Sequence, residues 1–310
     1  MSHLIVISEF MDDTAVDCLR EKAQVDYRPD LVDKRETLFQ SLTNARVLIV
    51  RNRTQVNREL LEHAPQLKVV GRLGVGLDNI DLQLCEEKGI TVYPAYGANA
   101  QAVAEYVIAS AFILLRGAYH SSEQIVEGKW PRTRLSNGLE CAGRTMGLVG
   151  FGSIGRLTAS LARALGMRII AYDPLIGVDS PVWRETGATR MSLDELLQHS
   201  DVVSLHTPLT PETRHLINER RIALMKPQAV LINSSRGGIV DEQALVEALK
   251  QGKLRGAALD VFEDEPVKAG NSFPVMPNLL LTPHIAGLTE EANKRVSDVI
   301  AEKVIGHLAE

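Results

Sequence analysis

The chain has 310 residues, of which 45% are hydrophobic and 24% charged, and its formal net charge at pH 7 is −5. This composition is typical of a globular protein of about two domains. The acidic balance argues against a nucleic-acid-binding protein, because neutralising phosphates requires a basic surface. The cysteines are odd in number and widely scattered, so they predict neither a disulfide framework nor a zinc site and favour a reducing, cytoplasmic location.

The N-terminal segment lacks the basic region and long apolar run of a signal peptide. The most apolar stretch, residues 106–115, is too short to span a bilayer and is predicted as part of a buried helix. We therefore expect no association with a membrane. No cluster of metal-ligating side chains stands out, so no metal site is predicted.

Short β-rich runs alternate with helical patterns in the first third of the chain. The predicted strands are residues 4–8, 45–50, 67–73 and 90–95. Amphipathic helical patterns, such as those at 14–23 and 57–64, lie between them. This alternation predicts a parallel sheet with helices on its faces.

The same pattern starts again at Thr145, after a long helix predicted from Asn99 to Arg116. The further predicted strands are residues 145–150, 167–173, 201–206, 229–235, 256–262 and 278–284. Their nearly continuous apolar character is that of strands buried on both faces. The last pattern, at 288–308, predicts a helix capped by Thr289. Two α/β units with parallel sheets follow from this order.

A glycine-rich loop follows the first strand of the second unit. Gly150, Gly152 and Gly155 have the G-x-G-x-x-G spacing, with an apolar strand before them and an amphipathic helix after them. Such a loop permits a tight turn, the close approach of a pyrophosphate and close helix–strand packing. Asp173 ends the next strand, where a carboxylate can bind the ribose hydroxyls and repel a 2′-phosphate. The sequence therefore predicts NAD as the cofactor.

Charged residues follow three later strands of the same unit. Arg236 comes after one strand, Asp260 and Glu265 after the next, and His284 after the last. Each could belong to a structural ion pair, but together they have the chemistry of hydride transfer. An imidazole can exchange a proton with a substrate hydroxyl or carbonyl, a carboxylate can fix its tautomer and favour the imidazolium, and an arginine can clamp a substrate carboxylate.

These motifs resemble the D-isomer-specific 2-hydroxyacid dehydrogenase family, especially its phosphoglycerate dehydrogenase-like branch. The similar segments cover nearly the whole chain: 71–81, 147–156, 206–217, 233–242, 258–266 and 282–287. The resemblance implies an α/β protein with two doubly wound parallel-sheet domains. A flavodoxin-like substrate domain would comprise residues 1–97 and 284–310, and an inserted Rossmann NAD domain would comprise 98–283.

The resemblance also implies residue roles. His284 is the implied acid/base, Glu265 its partner and Arg236 the carboxylate clamp, while Gly74 and Val75 match a loop whose N–H groups hold the substrate carboxylate. The implied cofactor-binding residues, which include the glycine loop and Asp173, are Gly150, Gly152, Ser153, Ile154, Gly155, Asp173, His206, Thr207, Pro208, Ser234 and Asp260. The implied partner is a small 2-hydroxy or 2-keto acid.

Arginines of the first unit bear on which acid is bound. Arg51 and Arg53 follow one strand, and Arg72 ends the next. If they converge, they suit a substrate with a second anionic group, such as 3-phosphoglycerate or (S)-3-sulfolactate, and Arg53 and Arg72 are predicted to bind it. The segments 6–16 and 51–56 are reminiscent of sulfolactate dehydrogenases in this family. If the arginines are surface charges, hydroxypyruvate or glyoxylate reduction is the alternative.

Two further expectations come from the resemblance. The helix at 99–116 and the loop at 119–140 match the dimer-forming arm of the family, so a homodimer is expected. The family also includes corepressors that bind NAD as a conformational sensor, and a non-catalytic NAD-sensing protein is therefore the rival class. Turnover of a 2-keto acid would separate the two classes.

Overall fold

The computed structural model describes residues 4–119 and 121–309, which divide into two compact units. The first comprises Met1–Asn99 with Leu288–Glu310, and the second comprises Ala100–Gly287. The chain therefore passes from one unit to the other after Asn99 and after Gly287. The sequence analysis placed these two boundaries after residues 97 and 283. Among the described residues, no helix is both long enough and apolar enough to cross a membrane.

The first unit contains one five-stranded sheet in which all pairings are parallel. Its strand order is β2-β1-β3-β4-β5, the flavodoxin-like order. The elements are β1 (Leu4–Ile7), α1 (Asp13–Arg20), β2 (Gln24–Tyr27), a 3₁₀ helix (Leu31–Asp33), α2 (Arg35–Leu42), β3 (Ala45–Val50), α3 (Arg58–Glu62), β4 (Val69–Arg72), α4 (Leu82–Glu87), β5 (Thr91–Pro94) and, from the end of the chain, α12 (Glu290–Ala309).

The second unit contains a seven-stranded parallel sheet in the order β12-β11-β10-β9-β6-β7-β8. Six of these strands follow the Rossmann order, with β12 added at one edge. The elements are α5 (Ala100–Arg116), α6 (Ser122–Val126), β6 (Thr145–Val149), α7 (Ser153–Ala164), β7 (Arg168–Tyr172), α8 (Pro181–Thr186), β8 (Thr189–Arg190), α9 (Leu193–His199), β9 (Val202–Leu205), α10 (Glu219–Ile222), β10 (Val230–Asn233), α11 (Glu242–Lys250), β11 (Gly256–Leu259) and β12 (Leu279–Leu281).

Both sheets are buried on both faces, as the apolar strands predict. In β1, Val6 belongs to one buried cluster while Ile5 and Ile7 belong to another. In β6, Leu148 and Val149 are likewise divided between two clusters. Because neighbouring residues of a strand point to opposite faces, each sheet has helices packed on both sides. The doubly wound α/β class is confirmed.

The sequence analysis did not predict two of the strands, β2 and β8. The edge strand β2 has no fully buried residue, and the two residues of β8, at the edge of the other sheet, are both exposed. An edge strand can form without an apolar face, so no hydrophobic run marks these two, whereas the apolar edge strands β5 and β12 were predicted. The predicted cap of the last helix is confirmed, since Thr289 Oγ1 accepts a hydrogen bond from Ala292 N at 3.1 Å.

Candidate active site

The glycine loop joins β6 to α7 at the point where the strand order of the second sheet reverses. Gly150 has φ 91°, and a Cβ there would lie 2.4 Å from the carbonyl oxygen of His206. A Cβ on Gly155 would lie 2.4 Å from the carbonyl oxygen of Gly150. At Gly152, by contrast, a Cβ would meet nothing within 4 Å, and no side chain caps the helix that begins there. The loop thus leaves N–H groups of α7 accessible to an anionic group.

Asp173 is fixed beside this loop by two main-chain donors. Its Oδ2 accepts a hydrogen bond from Phe151 N at 2.8 Å, and its Oδ1 accepts one from Leu175 N at 2.9 Å. A carboxylate has more lone pairs than these two donors use, so it can also accept from ribose hydroxyls. The bond to Phe151, which joins the end of β7 to the glycine loop, could not be derived from the sequence.

Two buried hydroxyl groups lie near the ends of β9 and β10 without a hydrogen-bond partner among the described residues. Thr207 Oγ1 and Ser234 Oγ are buried, and no hydrogen bond joins either to the residues that the structure describes. Buried polar atoms are nearly always paired in proteins. These two orphan hydroxyls, on residues predicted to bind the cofactor, fit a group such as NAD that brings its own donors and acceptors.

His206 lies between the glycine loop and β9. Its Nε2 is 3.0 Å from Ser204 Oγ, and a Cβ on Gly155 would lie 3.8 Å from its Cδ2. Burial penalises the imidazolium and lowers the pKa of His206 to about 4. The ring is therefore neutral at pH 7 and adds no charge beside the loop.

His284 forms a close pair with Glu265 beyond the end of β12. His284 Nδ1 is 2.7 Å from Glu265 Oε2, and Glu265 Oε1 accepts a hydrogen bond from Phe262 N at 3.0 Å. Burial alone would raise the pKa of Glu265, but the hydrogen bond from His284 and the charge of Arg236 hold it below its usual value. Glu265 is thus a carboxylate at neutral pH, and its pairing with Nδ1 leaves Nε2 of His284 for a substrate.

Asp260 lies under the His284 segment, with both oxygens engaged. Its Oδ1 accepts hydrogen bonds from Thr282 Oγ1 at 2.6 Å and from Ile285 N at 2.8 Å, and its Oδ2 accepts one from Ala286 N at 2.7 Å. Tyr106 Oη, from α5, is 2.7 Å from Thr282 Oγ1. The sequence analysis counted Asp260 among the cofactor-binding residues, whereas its contacts within this unit hold His284 in its left-handed conformation, φ 55°.

The turn after β10 presents Arg236. Asn233 Nδ2 donates to the Arg236 carbonyl at 2.9 Å, and Asn233 Oδ1 accepts from Ser235 N at 3.1 Å. The Arg236 guanidinium donates to Ser235 O at 2.6 Å and is near enough to stabilise the Glu265 carboxylate. The predicted triad of His284, Glu265 and Arg236 therefore lies together in one unit.

In the first unit, a buried glutamate organises the loop after β3. Glu9 is 4% exposed and accepts hydrogen bonds from the main-chain N–H groups of Arg51, Arg53 and Thr54, at 2.9, 3.2 and 3.0 Å. The sequence analysis missed Glu9, although its position directly after an apolar strand was a usable signal. The loop lies where the strand order of this sheet reverses, the usual place for a ligand.

The arginines of this unit differ in their surroundings. Arg53 is exposed and forms an ion pair with Asp33. Arg51 is partly buried, donates to Asn293 Oδ1 at 2.6 Å and lies over the Phe10 ring. The Arg72 side chain folds over Gly74, where a Cβ would lie 1.5 Å from its Nη1, and Val75 follows in the same loop. Of the two arginines that follow β3, Arg51 is thus the partly buried one, although the sequence analysis selected Arg53.

A cavity of about 470 Å³ lies elsewhere in the second unit. Thr145, Arg168 and Thr189, at the amino ends of β6, β7 and β8, are among its lining residues. Because the strands are parallel, this is the edge of the sheet opposite to the glycine loop. We assign it no part in the reaction.

Comparison with known proteins shows which family this chain resembles. The family model for the D-isomer specific 2-hydroxyacid dehydrogenase NAD-binding domain matches residues 108–286. (S)-Sulfolactate dehydrogenase from Chromohalobacter salexigens is 49% identical over 97% of this chain and 96% of that protein. D-3-Phosphoglycerate dehydrogenase from Methanocaldococcus jannaschii is 40% identical over 97% of this chain but only 56% of that protein.

A solved structure extends the comparison to the fold. D-Lactate dehydrogenase from Aquifex aeolicus, complexed with NAD and lactic acid, matches with a TM-score of 0.85 and 31% identity. The match covers 99% of this chain and 96% of that chain. The likeness thus extends over both units.

Proposed function

We propose that this chain, which belongs to the D-isomer specific 2-hydroxyacid dehydrogenase family, acts on a D-configured 2-hydroxy acid that carries a second anionic group, either (S)-3-sulfolactate or 3-phosphoglycerate. The chain is an NAD-dependent oxidoreductase. The observation that carries the proposed chemistry is the 2.7 Å pairing of His284 with Glu265 in the unit that contains the glycine loop.

The cofactor-binding residues of this chain are proposed from the fit described above. When bound, NAD supplies the carbon that accepts or returns the hydride of substrate C2. The N–H groups after Gly152 would face the pyrophosphate, Asp173 the adenosine ribose, and the hydroxyls of Thr207 and Ser234 would gain the partners that they lack.

His284 is proposed to move the proton. With Nδ1–H donating to Glu265, Nε2 can take the proton of the substrate hydroxyl during oxidation. In the reducing direction, His284 starts as the imidazolium and returns that proton to the carbonyl oxygen. The Glu265 carboxylate stabilises the imidazolium in both directions because it lies within hydrogen-bonding distance.

Arg236 is proposed to hold the substrate carboxylate. A planar guanidinium can bind a carboxylate through two parallel hydrogen bonds, which fixes the orientation of C2. In the first unit, the N–H groups of Gly74 and Val75, in the loop after β4, are also proposed to bind a carboxylate. These assignments apply to any 2-hydroxy acid and do not select among them.

Selection for a second anion is proposed to come from Arg51, Arg53 and Arg72. The 49% identity to a sulfolactate dehydrogenase over nearly the full length of both chains supports this choice. The pairing of Arg53 with Asp33 favours the alternative, hydroxypyruvate or glyoxylate reduction, because those substrates carry no second anionic group. Exposed ion pairs contribute at most about 1 kcal/mol, so a dianionic substrate can displace Asp33.

A homodimer is also proposed. Tyr119, Val126 and Trp130, which follow α5, are 62%, 88% and 78% exposed. Exposed large apolar side chains in one segment are typical of a surface that another chain covers. Size-exclusion chromatography with light scattering tests this proposal: the chain should elute as a dimer, and Trp130→Ser should weaken it. A monomer at micromolar concentration would refute it.

The experiment that tests the substrate is NAD-dependent oxidation of (S)- and (R)-3-sulfolactate, D-3-phosphoglycerate, D-glycerate and D-lactate, compared by kcat/KM. We expect strong selectivity for one dianionic D-configured acid. Weak activity on dianions together with efficient reduction of hydroxypyruvate or glyoxylate would favour the alternative. NAD binding without turnover of any compound, keto acids included, would instead favour the NAD-sensing class.

A further inference from the structure

A second histidine shares the unusual backbone of His284. Among the residues that the structure describes, His215 (φ 47°) and His284 (φ 55°) are the non-glycine residues with a left-handed conformation. This conformation costs free energy in a residue with a Cβ, so surrounding contacts must hold it. Each of these histidines is paired with a glutamate of one segment, residues 260–265: His215 Nε2 is 3.0 Å from Glu263 Oε1, and His284 pairs with Glu265.

His215 is also bound to the turn that carries Arg236. His215 N donates to Gly238 O at 2.7 Å, and Ile217 N donates to Ile239 O at 3.0 Å. A Cβ on Gly237 would lie 1.7 Å from Phe262 O, so this turn is in direct contact with the segment 260–265. His215 therefore lies where three segments meet, and two of them carry Arg236 and Glu265.

Glu263 is held at both its side chain and its main chain. Its carboxylate pairs with His215, and its N–H donates to Glu242 Oε1, at the start of α11, at 2.7 Å. One residue before it, Phe262 N donates to Glu265 Oε1. Since Phe262 and Glu263 are neighbours, displacement of Glu263 shifts a donor that orients Glu265.

We propose that His215 and Glu263 form a positioning pair that keeps the segment 260–265 against the Arg236 turn, so that Glu265 stays on His284. This inference rests on the proposed function of that triad. His215 would touch neither substrate nor cofactor, and it would act through Glu263. The pair would matter for kcat and for the KM of the acid, while leaving NADH binding unchanged.

Two substitutions of His215 separate its side chain from its backbone. His215→Gly removes the imidazole but accepts the left-handed conformation without strain. His215→Gln keeps an N–H donor near the position of Nε2 but retains the strain. A purely conformational role predicts that the Gly variant is the better enzyme, whereas a positioning pair predicts the reverse.

The assay measures kcat and KM for (S)-3-sulfolactate, D-3-phosphoglycerate and D-glycerate, the Kd of NADH by fluorescence, and Tm. We expect His215→Gly to lose roughly 10- to 100-fold in kcat/KM, because a small displacement of the reacting groups can have an effect of this size. His215→Gln should lose less than about threefold. The Kd of NADH should stay within about twofold in both variants, because the pair is not assigned to the cofactor. His199→Asn, on an exposed helix end, is the matched control.

A second variant keeps the test decisive if His215→Gly fails to fold. Glu263→Ala should reproduce the loss, and the double variant should be no worse than either single variant, because the two groups act as one unit. Additive losses, or a Gly variant as active as the wild type, would overturn the pair. A wild-type enzyme inert towards every acid would overturn the proposed function itself, and this inference with it.

Discussion

The loops that follow the strands of the two sheets are held in different ways. In the second unit, side chains fix the groups that would react. Glu265 pairs with His284, and Asp260 accepts hydrogen bonds from the main chain that directly follows His284. In the first unit, Glu9 fixes only the main chain of the loop after β3, while the guanidinium group of Arg53 pairs with exposed Asp33. Proton transfer needs a set geometry, whereas charge selection tolerates a side chain that can exchange partners.

The largest effect is expected from removal of the His284 imidazole in the second unit. His284→Ala should lower kcat by about 10²- to 10⁴-fold, because the proton of the hydroxyl then has no positioned acceptor. The Kd of NADH should stay nearly constant, since His284 is not assigned to the cofactor. Steady-state kinetics and a fluorescence titration measure the two quantities. Full activity of the variant would disprove the assignment.

The corresponding test in the first unit is Arg51→Ala. Loss of a hydrogen bond to a charged group costs about 1.5–3 kcal/mol, so kcat/KM for the preferred dianionic acid should fall roughly 10- to 100-fold. Activity with D-glycerate should change little. Arg35→Ala, which removes an exposed ion pair with Glu59, is the control. Equal losses on dianionic and monoanionic acids would mean that Arg51 supports the loop and does not select the substrate.

A smaller effect is expected from Arg236→Lys. An ammonium group keeps the charge but loses the two parallel hydrogen bonds, so KM for every 2-hydroxy acid should rise about tenfold with a smaller change in kcat. The effect should be the same for dianionic and monoanionic acids, in contrast to that of Arg51→Ala. Unchanged kinetics would count against the carboxylate clamp.

The last prediction concerns stability and its dependence on pH. The pKa of His206 is lowered to about 4 from an ordinary 6.5, so the unfolded chain binds a proton between these values that the folded chain does not. Stability should therefore fall as pH decreases through this range, by on the order of 1–2 kcal/mol. His206→Gln should remove this contribution, as urea denaturation at pH 4.5 and 7 would show. An unchanged difference between the two pH values would exclude His206 as its source.

Much of the fold and the second-unit site could be predicted because the signals are local. The strand β3 was predicted with its observed bounds, and the helix α5 was predicted to within one residue. The glycine loop, Asp173 and His284 are marked by their position directly after apolar strands. Continuous apolar runs and glycine spacing are local properties of the chain, since they reflect burial and backbone sterics.

Other features depended on contacts between distant residues. The pairing of Arg53 with Asp33, the bonds from Glu9 to the loop after β3, and the pairing of His215 with Glu263 each join residues 20 or more positions apart. No periodicity records which donor meets which acceptor. Burial leaves a pattern in the sequence because it concerns one side chain at a time, whereas a hydrogen bond requires two chain segments to meet, and only the tertiary structure brings them together.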